Sequence, residues 1–195
     1  MLLLAISLIG VGVLEYLSRH TKLPAAVIRK SGHVGLALIL AGAAIWLDQQ
    51  FFVIGGVMLC VIASIVRQLP LRSLATFKKS SYGELFFPLG IALAALIASS
   101  STHFIACLLL LGLADTAAYY FGRRIRSPRL VGNKTVAGTL AFGTVSALII
   151  WWTTGSLSAA FLLAIPLSLV ELMSQRGSDN VTVPVVAACL LLPFS

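Results

Sequence analysis

All fourteen Lys and Arg residues of this chain fall in every second connection between its apolar stretches. The stretches, about eight of them, are Leu2–Leu17, Gly32–Leu47, Phe51–Val66, Leu85–Ser99, His103–Phe121, Val136–Trp152, Leu157–Leu172 and Val181–Phe194. Arg19, Lys22, Arg29 and Lys30 lie in the first connection, and Arg67, Arg72, Lys78 and Lys79 in the third. Arg123, Arg124, Arg126, Arg129 and Lys134 lie in the fifth, and Arg176 in the seventh. The connections near Asp48–Gln50, Ser99–Thr102 and Thr153–Ser158 hold none. Short cationic loops stay on the cytoplasmic side of a bilayer, so this alternation predicts a topology. The expectation is an all-α polytopic membrane protein: one domain over residues 1–195, a bundle of about seven to eight transmembrane helices with the N-terminus outside.

Composition agrees. Hydrophobic residues make up 59% of the chain and charged residues 10%, where a soluble domain carries roughly 25% charged residues. The net charge of +8 is spread over short loops, with no basic face interleaved with aromatics. It suits anionic headgroups or a polyphosphate, and no nucleic-acid partner is expected. Cys60, Cys107 and Cys189 sit inside apolar stretches without metal spacing and read as small buried residues. Met1–Leu17 has no basic segment before its apolar run, so it reads as a first spanning helix rather than a signal peptide. Seven helices with a re-entrant tail is the alternative, because Pro193 interrupts the last stretch.

Helix direction turns the topology into a statement about a site. With the N-terminus outside, every even helix begins at the cytoplasmic face. The starts would be Arg29-Lys30-Ser31-Gly32-His33, Ser81-Tyr82-Gly83-Glu84, Gly132-Asn133-Lys134-Thr135 and Ser178-Asp179-Asn180. Helix starts attract anions through free backbone N–H groups and the positive dipole end. The odd helices bring carboxylates towards the same face: Glu15, Asp115 and Glu171. Together these suit a phosphate chain with a divalent metal.

Asp115 stands out, roughly 10 Å inside its helix at 1.5 Å per residue. A carboxylate there costs about 2.5–3.5 kcal/mol on insertion scales. It reads as a metal ligand, with an ion pair to a neighbouring helix as the bland alternative. Lys134 reads as a phosphate contact or a topology-setting cation, with Asn133 as an ordinary N-cap. Glu171 has no cation one turn away on its own helix, and Asp179 with Asn180 also suits a helix cap. Ser81-x-x-Glu84 matches a capping box, and His33 reads first as a hydrogen-bonded interfacial residue. Glu15 and Arg19 read as a surface pair at i,i+4 spacing. Arg123 and Arg124 read as topology signals before ligands, and Arg67, Arg72, Lys78 and Lys79 as anchors. Ala114, Ala118, Gly138, Gly143 and Ala147 read as helix-packing positions. There is no G-x-x-x-x-G-K-[ST] loop, G-x-S-x-G elbow or H-E-x-x-H pair.

The run Asp115-Thr116-Ala117-Ala118-Tyr119-Tyr120-Phe121-Gly122-Arg123-Arg124, followed by Asn133-Lys134-Thr135-Val136-Ala137-Gly138, resembles a block shared by two groups of membrane enzymes. These are the phosphatidate cytidylyltransferases and the CTP-dependent lipid-alcohol kinases of the dolichol kinase, phytol kinase and diacylglycerol kinase type. Arg29-Lys30-x-x-His33, Phe87-Pro88-Leu89-Gly90 and the ending Glu171…Asp179-Asn180…Pro184 are more similar to the kinases. The cytidylyltransferase ending of the H-G-G-x-x-D-R type is missing. In length the chain resembles the compact phytol or polyprenol type. The resemblance implies transfer of the γ-phosphoryl of CTP to a membrane lipid alcohol, with Mg²⁺ as cofactor. It implies roles for Asp115, Lys134, Thr135, Glu171, Asp179 and Asn180, and weaker ones for Arg29, Lys30, His33 and Glu84. Mg²⁺ would be held by Asp115 with Asp179 or Glu171. Lys134, Thr135, Asn133, Arg123, Arg124 and Asn180 would serve the nucleotide. A cytidylyltransferase and a small non-enzymatic transporter are the alternatives. A homodimer stays open, and the expected location is a bacterial or archaeal plasma membrane or an organelle membrane, with the catalytic face cytoplasmic.

The topology is testable in a background with Cys60, Cys107 and Cys189 replaced. Gln50→Cys and Ser158→Cys should react with an impermeant maleimide in intact cells. Ser127→Cys should react only after permeabilisation, and the reverse pattern would overturn the orientation.

Overall fold

The structure, a computed structural model, describes Tyr16, His20, Thr21 and residues 25–68 and 82–194. The expected first helix, Leu2–Leu17, lies outside the described residues apart from Tyr16, as do its Glu15–Arg19 pair, Lys22, Arg72, Lys78, Lys79 and Ser81. Among the described residues seven helices succeed one another: α1 (Ala25–Ala43), α2 (Gln49–Gln68), α3 (Gly83–Ile97), α4 (Ser101–Arg124), α5 (Val136–Thr154), α6 (Leu157–Met173) and α7 (Asp179–Leu191). A 3₁₀ turn, Leu192–Phe194, ends the described chain. Among the described residues there is no β-strand, only an isolated bridge between Arg129 and Thr135.

Local chemistry explains several helix ends. Ser100, Thr135 and Ser156 cap α4, α5 and α6, each accepting a bond from the backbone N–H three residues on. Gly155, at φ 67°, ends α5 in the left-handed conformation that glycine adopts without steric cost. Two expectations about starts are corrected. Helix α1 begins at Ala25 rather than Gly32, so Arg29, Lys30 and His33 lie inside it. Helix α3 is preceded by Tyr82, which makes no side-chain cap, and Glu84 pairs with Arg67 instead of closing a capping box.

Helix α4 is central and packs on α1, α3, α5 and α7. The core around it is built from Phe52, Phe104, Phe142, Leu108, Leu111, Leu167 and many alanines. The outward faces are apolar as well. Helix α2 exposes Phe51, Ile54, Val57, Met58, Val61 and Ile65 as a stripe, and α6 exposes Phe161, Leu162, Ile165, Leu169 and Met173. Three charged residues, by contrast, are turned inward: Lys30, Asp115 and Glu171 are buried. Cys107 is buried as expected, but Cys189 is exposed. Ser101–Arg124 and Val136–Thr154 are long and apolar enough to cross a membrane, at mean hydropathy 1.8 and 1.5. Gln49–Ile65, Gly83–Ile97, Leu157–Met173 and Asp179–Phe194 are apolar but shorter.

Small residues set the closest crossings. Pro184 has no N–H, so the Asn180 carbonyl four residues earlier loses its helical donor. That carbonyl lies against Gly90, where a Cβ would overlap it and come within 3.1 Å of the Pro184 ring. The Phe87–Gly90 segment of α3 is thus the seat of the first turn of α7. On its other side α3 meets Gly56 of α2, where a Cβ would sit 2.7 Å from the Pro88 carbonyl oxygen. Gly90→Ala should therefore lower stability in detergent by about 1–3 kcal/mol through overpacking. Gly35→Ala on α1, with nothing within 4 Å of the added methyl, should lower it not at all. Equal thermal shifts for the two variants would refute this account of the α3–α7 contact.

Candidate functional site

One π-helical turn, Leu110–Ala114, interrupts α4 immediately before Asp115. Such a turn holds one residue more than the α-helical repeat and rotates the rest of the helix by about 100°. Gly112, within the turn, admits α1: a Cβ there would press on Ala37 and the backbone of His33 and Val34. The close approach carries Lys30 to Asp115, and the ammonium donates to Oδ2 in a buried ion pair whose side chains are 10% and 7% exposed. Lys30 also lies 5.8 Å from the centre of the Tyr119 ring, one turn after Asp115. The expected loop cation is therefore the buried counterion of the central carboxylate.

A second pair joins α5 to α6. Lys134 donates to Glu171 Oε1 at 2.6 Å and to the Glu171 backbone carbonyl. It supplies the cation that Glu171 lacks on its own helix. Lys134 stands just before α5, in a hairpin after α4. That hairpin is closed by Leu130 N–H to the Lys134 carbonyl at 2.8 Å and Lys134 N–H to the Val131 carbonyl at 2.9 Å. Gly132, at φ 58°, makes the turn. The start of α5 crosses α4 at Gly122 and Gly138, where a Cβ on Gly138 would meet the Ala118 carbonyl at 2.9 Å.

The hairpin changes the expectation for anion binding. The first N–H groups of α5 are already used: Val136 donates to the Pro128 carbonyl, Ala137 to Ser127 Oγ and Gly138 to Thr135 Oγ1. Thr135, rather than Asn133, is the cap, and its own hydroxyl donates to the Gly122 carbonyl at 3.3 Å. What the α5 start offers an anion is its dipole and its side chains, not its free amides.

These elements enclose a cleft of about 720 Å³. Among its lining residues are the expected Lys30, Asp115, Arg123, Asn133, Lys134, Thr135, Glu171 and Asp179. Asp179 senses the charges of Asp115, Lys30 and Lys134, and Glu171 senses Lys134, Asp115 and Asp179. Lys30 and Lys134 thus meet Asp115, Glu171 and Asp179 at the centre of the cleft. Arg123, Arg126 and Arg129 line the same cleft. Lysine has three N–H donors. Lys134 uses two on Glu171 and Lys30 one on Asp115, so both retain donors for an anion.

Other expected residues lie elsewhere. Arg124 is exposed and outside the lining. Asn180 is buried behind Asp179, its carbonyl on Gly90. The His33 ring packs on Phe87 with centroids 4.9 Å apart. Glu84 pairs with Arg67, whose guanidinium stacks 4.2 Å from the Tyr82 ring centre, so Arg67 is more than an anchor. The Arg29 side chain is outside the described residues. Asp179 is the first residue of α7, and its Oδ1 accepts from Asn180 N–H at 3.1 Å, so the Ser178 position precedes the helix without a side-chain cap.

No protein-family model, curated protein or solved structure matches this chain.

Among the described residues no three His, Cys, Asp or Glu side chains form a ready-made metal cage. The donor set still suits Mg²⁺, which takes one or two carboxylates and completes its shell with phosphate oxygens and water. Asp115 and Asp179 supply hard oxygens in the cleft. Tyr119, Arg126, Arg129 and Thr139 also line it and were not anticipated. Positions 115, 119, 122 and 123 share one helical face of α4, so the 3.6-residue period starting from Asp115 held the signal for Tyr119.

Asp115→Asn or Lys30→Met alone should destabilise the protein by about 3–5 kcal/mol, because each leaves a buried charge unpaired. The double variant should lose clearly less than the sum of the two. Strict additivity in chemical unfolding would mean that the pair is not coupled.

Proposed function

We propose that this chain is a polytopic membrane phosphotransferase that moves the γ-phosphoryl group of CTP to the hydroxyl of a membrane lipid alcohol. The supporting observation is the meeting, in one cleft, of Lys30, Lys134 and three arginines with Asp115, Glu171 and Asp179. Phosphoryl transfer needs positioning and charge neutralisation more than covalent help from the protein. A cleft with cations for phosphate and carboxylates for a divalent ion meets both needs. The resemblance of the Asp115–Gly138 block to CTP-using membrane enzymes selects the nucleotide, and the Asp179–Pro184 ending favours the kinases.

In this reading the helices form a bundle of about seven to eight spans with the N-terminus outside, and the cleft faces the cytoplasm. Asp115 and Asp179 would hold Mg²⁺, which when bound supplies neutralisation of the nucleotide phosphates. Lys134 and Lys30 donate their remaining N–H groups to phosphate oxygens. Arg123, Arg126 and Arg129 hold the outer phosphates or the rim of the nucleotide. The close-packed floor of Ala118, Gly122 and Gly138 keeps bulk water away from the transferred group. The lipid alcohol enters from the bilayer between helices and attacks in line.

Purified protein should be offered CTP, ATP and UTP against phytol, farnesol, polyprenol and diacylglycerol. Label from γ-phosphate-labelled CTP should enter the lipid, and Asp115→Asn should reduce transfer by about 10²-fold or more. Incorporation of α-label with release of pyrophosphate would instead identify a cytidylyltransferase.

A further inference from the structure

Two polar atoms of the cleft are left without a protein partner. Glu171 meets Lys134 through Oε1, whereas Oε2 is buried and hydrogen-bonds to no protein group. The residue is 4% exposed, so bulk water does not serve that oxygen. Thr139 Oγ1 is also buried and has no protein partner. Hydroxyls in helices commonly donate to the carbonyl four residues back. Thr144, Thr153 and Thr154 of the same helix do so, at 2.9, 2.8 and 2.9 Å. Thr139 departs from that habit, and it departs where α5 lines the cleft.

The two atoms belong to one level of the bundle. Gly143 of α5 faces Ser168 of α6, where a Cβ would meet the Ser168 hydroxyl at 2.9 Å. The helices run in opposite directions across the short turn at Gly155–Ser156. One turn towards the cleft from Gly143 is Thr139, and three residues towards it from Ser168 is Glu171. A carboxylate oxygen only accepts, whereas a threonine hydroxyl both donates and accepts. A phosphate oxygen brings no proton to Glu171 and is repelled by it. A metal ion takes a lone pair from each oxygen and leaves the threonine proton unused. A lone hydroxyl, one donor and one acceptor, matches both atoms.

We propose that Glu171 Oε2 and Thr139 Oγ1 form the subsite that receives the acceptor hydroxyl, an inference that rests on the lipid-kinase reading. The alcohol donates to Glu171 Oε2 and accepts from Thr139. Lys134 holds the other oxygen of the same carboxylate and faces the nucleotide, which sets the hydroxyl beside the phosphate to be transferred. Leu140, next to Thr139 along α5, is exposed and apolar, and provides a wall for the alcohol's hydrocarbon chain.

The test uses full-length protein in nanodiscs without nucleotide and compares binding of farnesol with that of its methyl ether, which cannot donate. The wild type should favour the alcohol about tenfold, the scale of one hydrogen bond to a charged group. Thr139→Val and Glu171→Gln should each reduce that preference to less than about threefold, while Thr139→Ser retains it. Equal affinity of the wild type for alcohol and ether, or a preference that survives both Thr139→Val and Glu171→Gln, overturns the subsite. A wild type that prefers the alcohol yet transfers no γ-label from CTP to any lipid supports the subsite and defeats the kinase reading alone.

Discussion

The ion pair between Lys30 and Asp115 is the interaction on which the rest of the arrangement depends. A carboxylate in the middle of an apolar helix is costly unless a cation or a ligand offsets it. The offset comes from a residue 85 positions away in the chain. It requires α1 to lie close to α4, and the packing at Gly112 and Ala37 allows that approach. The π turn before Asp115 sets the direction in which the carboxylate leaves the helix. Electrostatics and close packing thus impose the same helix arrangement. The outer faces of the helices, apolar and without such demands, impose none.

The second pair, Lys134 with Glu171, repeats the principle with different means. There the cation comes from a hairpin whose backbone bonds occupy the first amides of α5. The helix start therefore contributes a stiff platform and a dipole, while recognition of an anion falls to side chains. Both lysines are neutralised by protein carboxylates and still hold unused donors. A polyphosphate can add to this network without first breaking it. The α3–α7 contact, built on the carbonyl freed by Pro184 and the bare Gly90, holds Asp179 at the edge of the same network.

Much of the helical frame was legible from hydropathy. The expected stretches from Phe51 to Leu172 begin and end within about three residues of α2 to α6, because capping and apolar runs are local properties. The start of α1 was not legible: Arg29 and Lys30 look like loop residues when their partner is unknown. Glu84 looked like a capping residue for the same kind of reason, since its bond to Arg67 spans 17 positions. In the cleft, Asp115, Lys134 and Glu171 stood out as charges in costly places. Tyr119 and Thr139 did not, since an aromatic or hydroxyl residue in an apolar helix is ordinary until its surroundings are known.

By itself the sequence determined a chain of apolar helices with its cations grouped at alternate junctions of the apolar stretches, and it singled out the carboxylates that need a reason to be where they are. Those are properties of hydropathy and charge along the chain, and they need no knowledge of which helices touch. Only the tertiary structure decided which cation neutralises which carboxylate, and which buried oxygens remain for a ligand. Coulomb interaction and hydrogen bonding act over a few ångströms of space, and the distances that matter here are between segments far apart in the chain.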